Sequence, residues 1–130
     1  MGVTVAWDDA AQHTILVTLD RSWTWNDIYE LNPLTDELAS SVDHKVCYLV
    51  DMRQAREVPP GFSPLRFKEA VSFDQPNSDL VVIVASSLFV HTMIGAIVKA
   101  VGRREDMVFA ESMDQAREKI AARLRALADA

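Results

Sequence analysis

Three uninterrupted apolar runs constrain the fold of this chain more than any other feature. They are Val46–Val50, Leu80–Ala85 and Met107–Ala110. A run without polar alternation is typical of a strand that helices cover on both faces, and such strands occur mainly in parallel sheets. Segments that favour helices separate the three runs. This alternation predicts right-handed β-α-β crossovers and an α/β fold.

Two further strands are predicted at the start of the chain. Val3, Val5 and Trp7 alternate with smaller or polar residues, and residues 15–19 alternate in the same way after a turn-like segment at residues 8–12. Such alternation indicates a hairpin with one face on the core and the other nearer solvent. We therefore expect a mixed sheet with this hairpin at its edge, three parallel strands, helices on both faces and the order β-β-α-β-α-β-α-β-α.

The first helix is predicted to begin after Thr24, whose hydroxyl can accept a hydrogen bond from a free backbone N–H group. Pro33 falls inside the helical pattern, where it lacks an N–H group and clashes with the preceding turn. We therefore expect a kink or a break near Leu31 and Asn32. The buried stripe of this helix is expected to contain Ile28, Leu31, Leu34, Leu38 and Val42.

The third predicted helix is apolar around much of its circumference. Phe89, Met93 and Ile97 are central to this apolar surface. A helix of this kind is usually buried on more than one side. The apolar residues that the sheet alone does not bury would then be buried in a dimer interface, against a partner protein or in an apolar ligand pocket. The alternative is that they are buried between the sheet and the neighbouring helices of the same domain.

Length and composition predict a single domain over residues 1–130, in which 49% of the residues are hydrophobic and 25% are charged. The net charge of −6 argues against nucleic-acid binding, which draws its strength from Lys and Arg. Polar residues interrupt the apolar stretch Leu80–Val101, so no membrane span is expected. The lone Cys47 lies in an apolar run, and no secretion signal is recognised, which together favour a cytoplasmic protein.

No pattern of residues predicts catalysis, a metal site or a cofactor. His13, His44 and His91 are scattered, and the glycines form no phosphate-binding motif. A Ser-His-Asp triad can be assembled from Ser86 or Ser87, His91 and Asp51, but no nucleophile-elbow motif supports it. The alternative is that these serines cap a helix.

The carboxyl ends of parallel strands are the usual position of binding sites in open α/β sheets. Asp51 ends the first apolar run, and the irregular segment that follows contains Arg53, Arg56 and Ser63. A phosphoryl group on Ser63 would gain from free N–H donors at a helix start and from nearby arginines. The alternative is that Ser63 is an N-cap and that Asp51 hydrogen-bonds the loop. These four residues are the candidate partner or phosphorylation site.

The predicted element order, the strand ending in Asp51, the serine that opens the next helix and the closing run Val108–Ala116 resemble the STAS or SpoIIAA-like fold of anti-sigma-factor antagonists. The resemblance covers nearly the whole chain. In that family a serine soon after the strand-ending aspartate is phosphorylated by a partner kinase, and the same region binds the partner. Here the loop between Asp51 and Ser63 is longer and proline-rich, and residues 61–64 differ from the family's Asp-Ser-Ser-Gly segment.

This resemblance implies a non-enzymatic protein-interaction or regulatory module without a cofactor, which binds a protein partner or forms a homodimer. The alternative is a carrier or sensor of a small apolar ligand, since the fold is related in shape to lipid-binding Sec14-like domains. The third helix would then line the pocket together with the aromatic residues Trp23, Trp25, Phe62 and Phe67.

Overall fold

The computed structural model describes residues 2–55, 59–61, 63, 66, 75–85, 92 and 107–129. Five strands and two helices lie within these residues. In chain order they are β1 (Val3–Trp7), β2 (Thr14–Leu19), α1 (Trp25–Ser40), β3 (Val46–Asp51), β4 (Ser78–Val84), β5 (Met107–Ala110) and α2 (Met113–Ala128).

The strands form one mixed sheet in the order β1-β2-β3-β4-β5. β1 pairs antiparallel with β2, which confirms the predicted hairpin at the edge. β2 pairs parallel with β3, and β4 and β5 continue in the same direction, so the hairpin adds one parallel strand to the three that were expected. Among the described strands the order never reverses, and the sheet therefore lacks the switch-point crevice of a doubly wound fold.

Residues of β3 alternate between two hydrophobic clusters because successive side chains of a strand point to opposite faces. Val46, Tyr48 and Val50 belong to a cluster that also contains α1 residues, whereas Cys47 and Leu49 belong to a cluster with α2 residues. Val46–Val50 are buried, as their uninterrupted apolar run predicts, and Asp51 at the end of β3 is buried as well. Of the two further predicted helices only Arg66 and Thr92 are described, both in helical conformation, and the full order of elements stays a prediction.

Helix α1 begins as the sequence predicts. The Thr24 hydroxyl accepts a hydrogen bond from the Asp27 N–H group at 3.1 Å, and the Asp27 carboxylate accepts one from the Thr24 N–H group at 2.8 Å. This reciprocal pair is a capping box, in which each side chain satisfies a backbone donor that has no partner inside the helix.

Two expectations about α1 need correction. α1 is a single helix that continues through Pro33 to Ser40, so the break near Leu31 is wrong, whereas the alternative of a kink there stays a prediction. Pro33 lies on the exposed side, where water can satisfy the carbonyl that loses its helical donor. Leu34 is 48% exposed. It projects beside the buried stripe, which follows the spacing of Ile28, Leu31, Thr35 and Ala39.

Helix α2 is joined to the sheet by two arginine–aspartate pairs. Arg117 donates to Asp8, the residue after β1, from Nε at 3.0 Å and from Nη2 at 2.9 Å. Arg123 donates to Asp79 in β4 from Nε at 2.7 Å and from Nη2 at 3.0 Å. Each pair is bidentate, a geometry that fixes direction as well as distance. The two pairs therefore restrict how α2 can lie across the sheet.

The Ser112 hydroxyl caps the start of α2, because it accepts a hydrogen bond from the Gln115 N–H group at 3.1 Å. The Gln115 side chain accepts the N–H group of Glu111 at 2.7 Å, one residue before the cap. Neither of the two described helices is long and apolar enough to cross a membrane.

Candidate functional site

The carboxyl end of β3 places Asp51 between two neighbouring strands. Asp51 is in register with Thr18 of β2 and with Val84 of β4. Its side chain alternates with those of Val50 and Met52 and therefore points to the same face of the sheet as Cys47 and Leu49. The backbone continues along β4 after the strand, because the Met52 N–H group donates to the Val84 carbonyl at 2.8 Å. Asp51 thus has a fixed position.

Arg53 folds back onto Asp51 and holds its carboxylate with three hydrogen bonds. The Arg53 N–H group donates to Oδ1 at 3.0 Å, Nε donates to Oδ1 at 2.9 Å and Nη2 donates to Oδ2 at 2.9 Å. The Asp51 side chain is 7% exposed, whereas that of Arg53 is 48% exposed. One side of this pair is therefore buried, and the other faces solvent.

Two opposing effects act on the pKa of Asp51. Burial raises it, because the charged form loses hydration, but the hydrogen bonds and the positive charge of Arg53 favour that form. Together, the hydrogen bonds and the charge of Arg53 outweigh the effect of burial, so the pKa of Asp51 lies below its ordinary value. Asp51 is therefore a weak proton acceptor, and it already has a cationic partner.

The loop after β3 packs on the start of α1. The Trp25 indole N–H group donates to the Pro60 carbonyl at 2.9 Å, and the Arg66 guanidinium lies 4.2 Å from the centre of the Trp25 ring. Trp25 also packs edge-on against the buried Trp23, with ring centroids 5.6 Å apart. The described part of the loop is therefore attached to α1 by both polar and aromatic contacts.

Gly61 makes this packing possible. Its φ angle is +76°, a backbone conformation that residues with a side chain rarely adopt. A Cβ atom at this position would also approach Arg66 Nη1 to 2.7 Å. The glycine thus permits both the turn after Pro60 and the close approach of the arginine that covers Trp25.

Ser63 makes the contact that an N-cap requires. Its hydroxyl accepts a hydrogen bond from the Arg66 N–H group, three residues ahead, at 3.1 Å. Ser63 is half-buried. Of the helix that it is expected to open, only Arg66 is described, so the cap is supported by this one hydrogen bond.

The structure brings only part of the predicted partner site together. Asp51 and Arg53 are in direct contact, and Ser63 lies in the same loop, whereas Arg56 falls outside the described residues. The interface or pocket candidates Phe89, Met93 and Ile97 and the aromatic residues Phe62 and Phe67 also fall outside them.

Two contacts in this region were missed by sequence reasoning. Pro60 and Arg66 both bind Trp25, although neither was assigned a role in the site. A tryptophan directly after the helix cap and a Pro-Pro-Gly segment are the signals in the sequence, but nothing in their spacing shows that they meet. The pairing spans 35 residues of chain and depends on tertiary structure.

The described histidines lie at the other end of the sheet. His13 precedes β2 and His44 precedes β3, and their rings are in contact, with centroids 4.4 Å apart and planes tilted by 32°. Neither residue is close to Asp51, which ends β3. Within the described ranges no three His, Cys, Asp or Glu side chains are grouped so that they could hold a metal ion.

Comparisons with known proteins do not assign this site. Neither a protein-family model, nor a curated protein, nor a solved structure matches the chain.

Proposed function

We propose that this chain is a non-enzymatic protein-interaction module that also self-associates, built on a STAS-like scaffold with helices on both faces of the sheet. The observation that carries this proposal is the binding of Asp51 by Arg53 at the carboxyl end of β3. The proposed partner surface is called the strand-end surface. It consists of Arg53, Gln54, Pro60, Ser63 and Arg66 together with Trp25.

The state of Asp51 favours binding over catalysis. A general base works best when its pKa lies near the operating pH and when its lone pairs can reach the substrate. Arg53 occupies both oxygens of the Asp51 carboxylate and lowers its pKa, which makes the group a poor base. The pair instead fixes an exposed guanidinium at the end of the sheet.

The composition of the strand-end surface supports recognition of a protein. Arginine and tryptophan are the residue types most enriched among those that dominate binding energy in protein interfaces. Arg53 and Arg66 are exposed, and Trp25 is half-buried beneath Arg66. Their positions are fixed in advance by the contacts with Asp51 and Pro60, which lowers the entropy lost on binding.

Ser63 is the proposed regulatory position on this surface. Its hydroxyl already faces the Arg66 N–H group, and a phosphoryl group would add negative charge beside that donor. Modification would therefore change the charge of the strand-end surface. The hypothesis of an apolar ligand stays a prediction, because most of the side chains proposed to line its pocket fall outside the described residues.

Site-specific crosslinking tests the proposal. A photoreactive amino acid would replace Gln54, which is exposed beside Arg53, or Ser40, which is exposed at the opposite end of α1 as a control. We expect one recurrent protein adduct from position 54 in the source cells, its loss in an Arg53→Ala background, and its absence from position 40. Equal labelling from both positions, or no protein adduct at position 54, would contradict the proposed surface.

The role of Ser63 needs a separate experiment. The purified partner would be titrated against wild type, Ser63→Ala and Ser63→Glu, and circular dichroism would confirm that all three are folded. Regulation predicts that Ser63→Glu changes the affinity while Ser63→Ala binds like wild type. If all three variants bind equally and peptide mapping finds no phosphate on Ser63 in cells, the residue is a cap only.

A further inference from the structure

The outer edge of β1 has a defined set of backbone groups that point away from the sheet. The Asp8 N–H group donates to the Thr14 carbonyl at 2.8 Å, and the Asp20 N–H group donates to the Gly2 carbonyl at 2.7 Å. Since bonded and non-bonded pairs alternate in an antiparallel ladder, the even-numbered residues of β1 face β2. The N–H and C=O groups of Val3, Val5 and Trp7 therefore point outward.

No described residue pairs with this edge. Among the residues that the structure describes, β1 is hydrogen-bonded only to β2 and occupies the end of the strand order. Natural edge strands are usually protected by charged residues, by proline or by a bulge. β1 has the sequence Val-Thr-Val-Ala-Trp, which contains no charge and no proline, and its register with β2 is regular.

We propose that a second copy of this chain pairs antiparallel with β1 about a two-fold axis at Val5, so that one sheet runs through both copies. This inference rests on the self-association in the proposed function and names the surface that carries it. Val5 would face the second copy's Val5, and Val3 would face the second copy's Trp7. All the outward N–H and C=O groups of Val3, Val5 and Trp7 would then be hydrogen-bonded.

The side chains of β1 are compatible with this register. Val3, Val5 and Trp7 are half-buried on one face, where they pack against the core cluster. A two-fold axis perpendicular to the sheet brings the same face of both copies together, so these side chains would extend one apolar surface. On the other face the exposed Thr4 would lie opposite the second copy's Ala6, without a like-charge contact.

The flanking residues also favour β1 over the other edge of the sheet. In the proposed register Asp8 would face the second copy's Gly2, so two acidic groups do not meet. β5 is only four residues long, and the acidic residues Asp106 and Glu111 flank it in the sequence. Charged residues at both ends of so short a strand are a usual protection of a sheet edge against pairing.

Charge variants at Thr4 and Ala6 test the register, because both side chains are exposed and can be replaced without disturbing the core. In T4E/A6E, carboxylates would oppose carboxylates across the two-fold axis. In the matched variant T4K/A6E, each ammonium group would oppose a carboxylate. Sedimentation equilibrium of the full chain would compare both variants with wild type over a wide range of concentration.

We expect wild type and T4K/A6E to dimerise, and the dissociation constant of T4E/A6E to rise by about a hundredfold or more, since like charges juxtaposed at an interface are strongly unfavourable. V5P is a second test, because the N–H group that it removes points away from β2. It should dissociate the dimer while circular dichroism stays like that of wild type.

Two outcomes would overturn the inference in different ways. A wild-type protein that is monomeric at every concentration would contradict both the β1 pairing and the self-association in the proposed function. A dimer that T4E/A6E and V5P leave unchanged would contradict the β1 pairing alone, because self-association would then use another surface.

Discussion

Arg53 lies against Asp51, two residues earlier in the chain, and its Nε and Nη2 atoms are each 2.9 Å from a different oxygen of that carboxylate. The aspartate ends a buried strand, whereas the arginine is half-exposed. Because the two residues are so close in sequence, their contact orders the first turn of the loop. The same contact presents a guanidinium at the strand-end surface.

This pair predicts a specific pH dependence of stability. The pKa of Asp51 is lowered in the folded chain, so the folded state binds fewer protons than the unfolded state at acidic pH. The stabilisation is complete above the unfolded pKa of about 4 and is lost as the pH falls through the lower folded value. Urea unfolding from pH 7 to pH 2 should show a weaker pH dependence in D51N than in wild type.

Loss of the arginine should also be measurable at neutral pH. R53A leaves a buried carboxylate with one backbone donor, and we expect the free energy of unfolding to fall by about 1–2 kcal/mol, less than for a fully buried pair because Arg53 is half-exposed. A loss in R53A that does not become smaller as the pH falls through the folded pKa of Asp51 would contradict this explanation, since protonation of Asp51 removes the charge that Arg53 stabilises.

A second test of stability concerns the hydrogen bonds that Asn77 makes to backbone carbonyls. Its side-chain amide donates to the Ala39 carbonyl at 2.8 Å and to the His44 carbonyl at 3.0 Å. The same amide nitrogen lies 3.4 Å from the Val42 carbonyl. Helix ends carry carbonyls without helical donors, and one amide here serves the end of α1 and the segment after it. Removing these hydrogen bonds in N77A should cost about 1–3 kcal/mol in urea unfolding.

The matched variant N77D keeps the shape of the side chain but replaces the donor with a carboxylate. It should be less stable than N77A at pH 7, because its negative charge would face carbonyl oxygens. Equal stability of N77D and wild type would show that the amide donor has no role.

Cys47 should be unreactive in the folded chain. Burial raises the pKa of its thiol to about 11, and nearby Asp79 adds to this effect. The thiolate is the reactive form, so its population at pH 8 should be very small. A thiol reagent should label Cys47 slowly in native protein and rapidly in urea. Rapid labelling under native conditions would contradict the buried position of the residue.

A larger residue at Gly2 is expected to clash with the start of α1. A Cβ atom at Gly2 would collide with the Asp27 carboxylate, which closes the capping box with Thr24. G2A should therefore displace that carboxylate and cost about 1 kcal/mol, the usual value of a lost cap. In a D27A background the same substitution should cost much less. An additive loss in the double variant would contradict the collision.

Local patterns in the sequence predicted the elements well where one physical effect dominates. The hairpin follows from large apolar residues at every second position of β1 and β2, and the buried β3 follows from an uninterrupted apolar run. Thr24 was predicted as a cap because its hydroxyl can accept a hydrogen bond from a nearby free backbone N–H group, and it does so.

Predictions that depend on tertiary structure were less successful. Leu34 has the spacing of a core residue, but the direction of α1 against the sheet buries Thr35 in its place. The contact between Arg117 and Asp8 spans 109 residues and has no local signal. The contact between Arg53 and Asp51 could have been predicted from the sequence, since a single residue separates the two.

The most direct test of the proposed function uses the partner protein that crosslinking identifies. Titration calorimetry would measure the affinity of this partner for wild type and for three variants. We predict that R53A and W25A each raise its Kd by at least about tenfold, as expected for residues that dominate an interface. E37A, which changes an exposed residue towards the far end of α1, should leave the Kd unchanged. Equal affinities for wild type, R53A and W25A would contradict the assignment of the strand-end surface as the binding site.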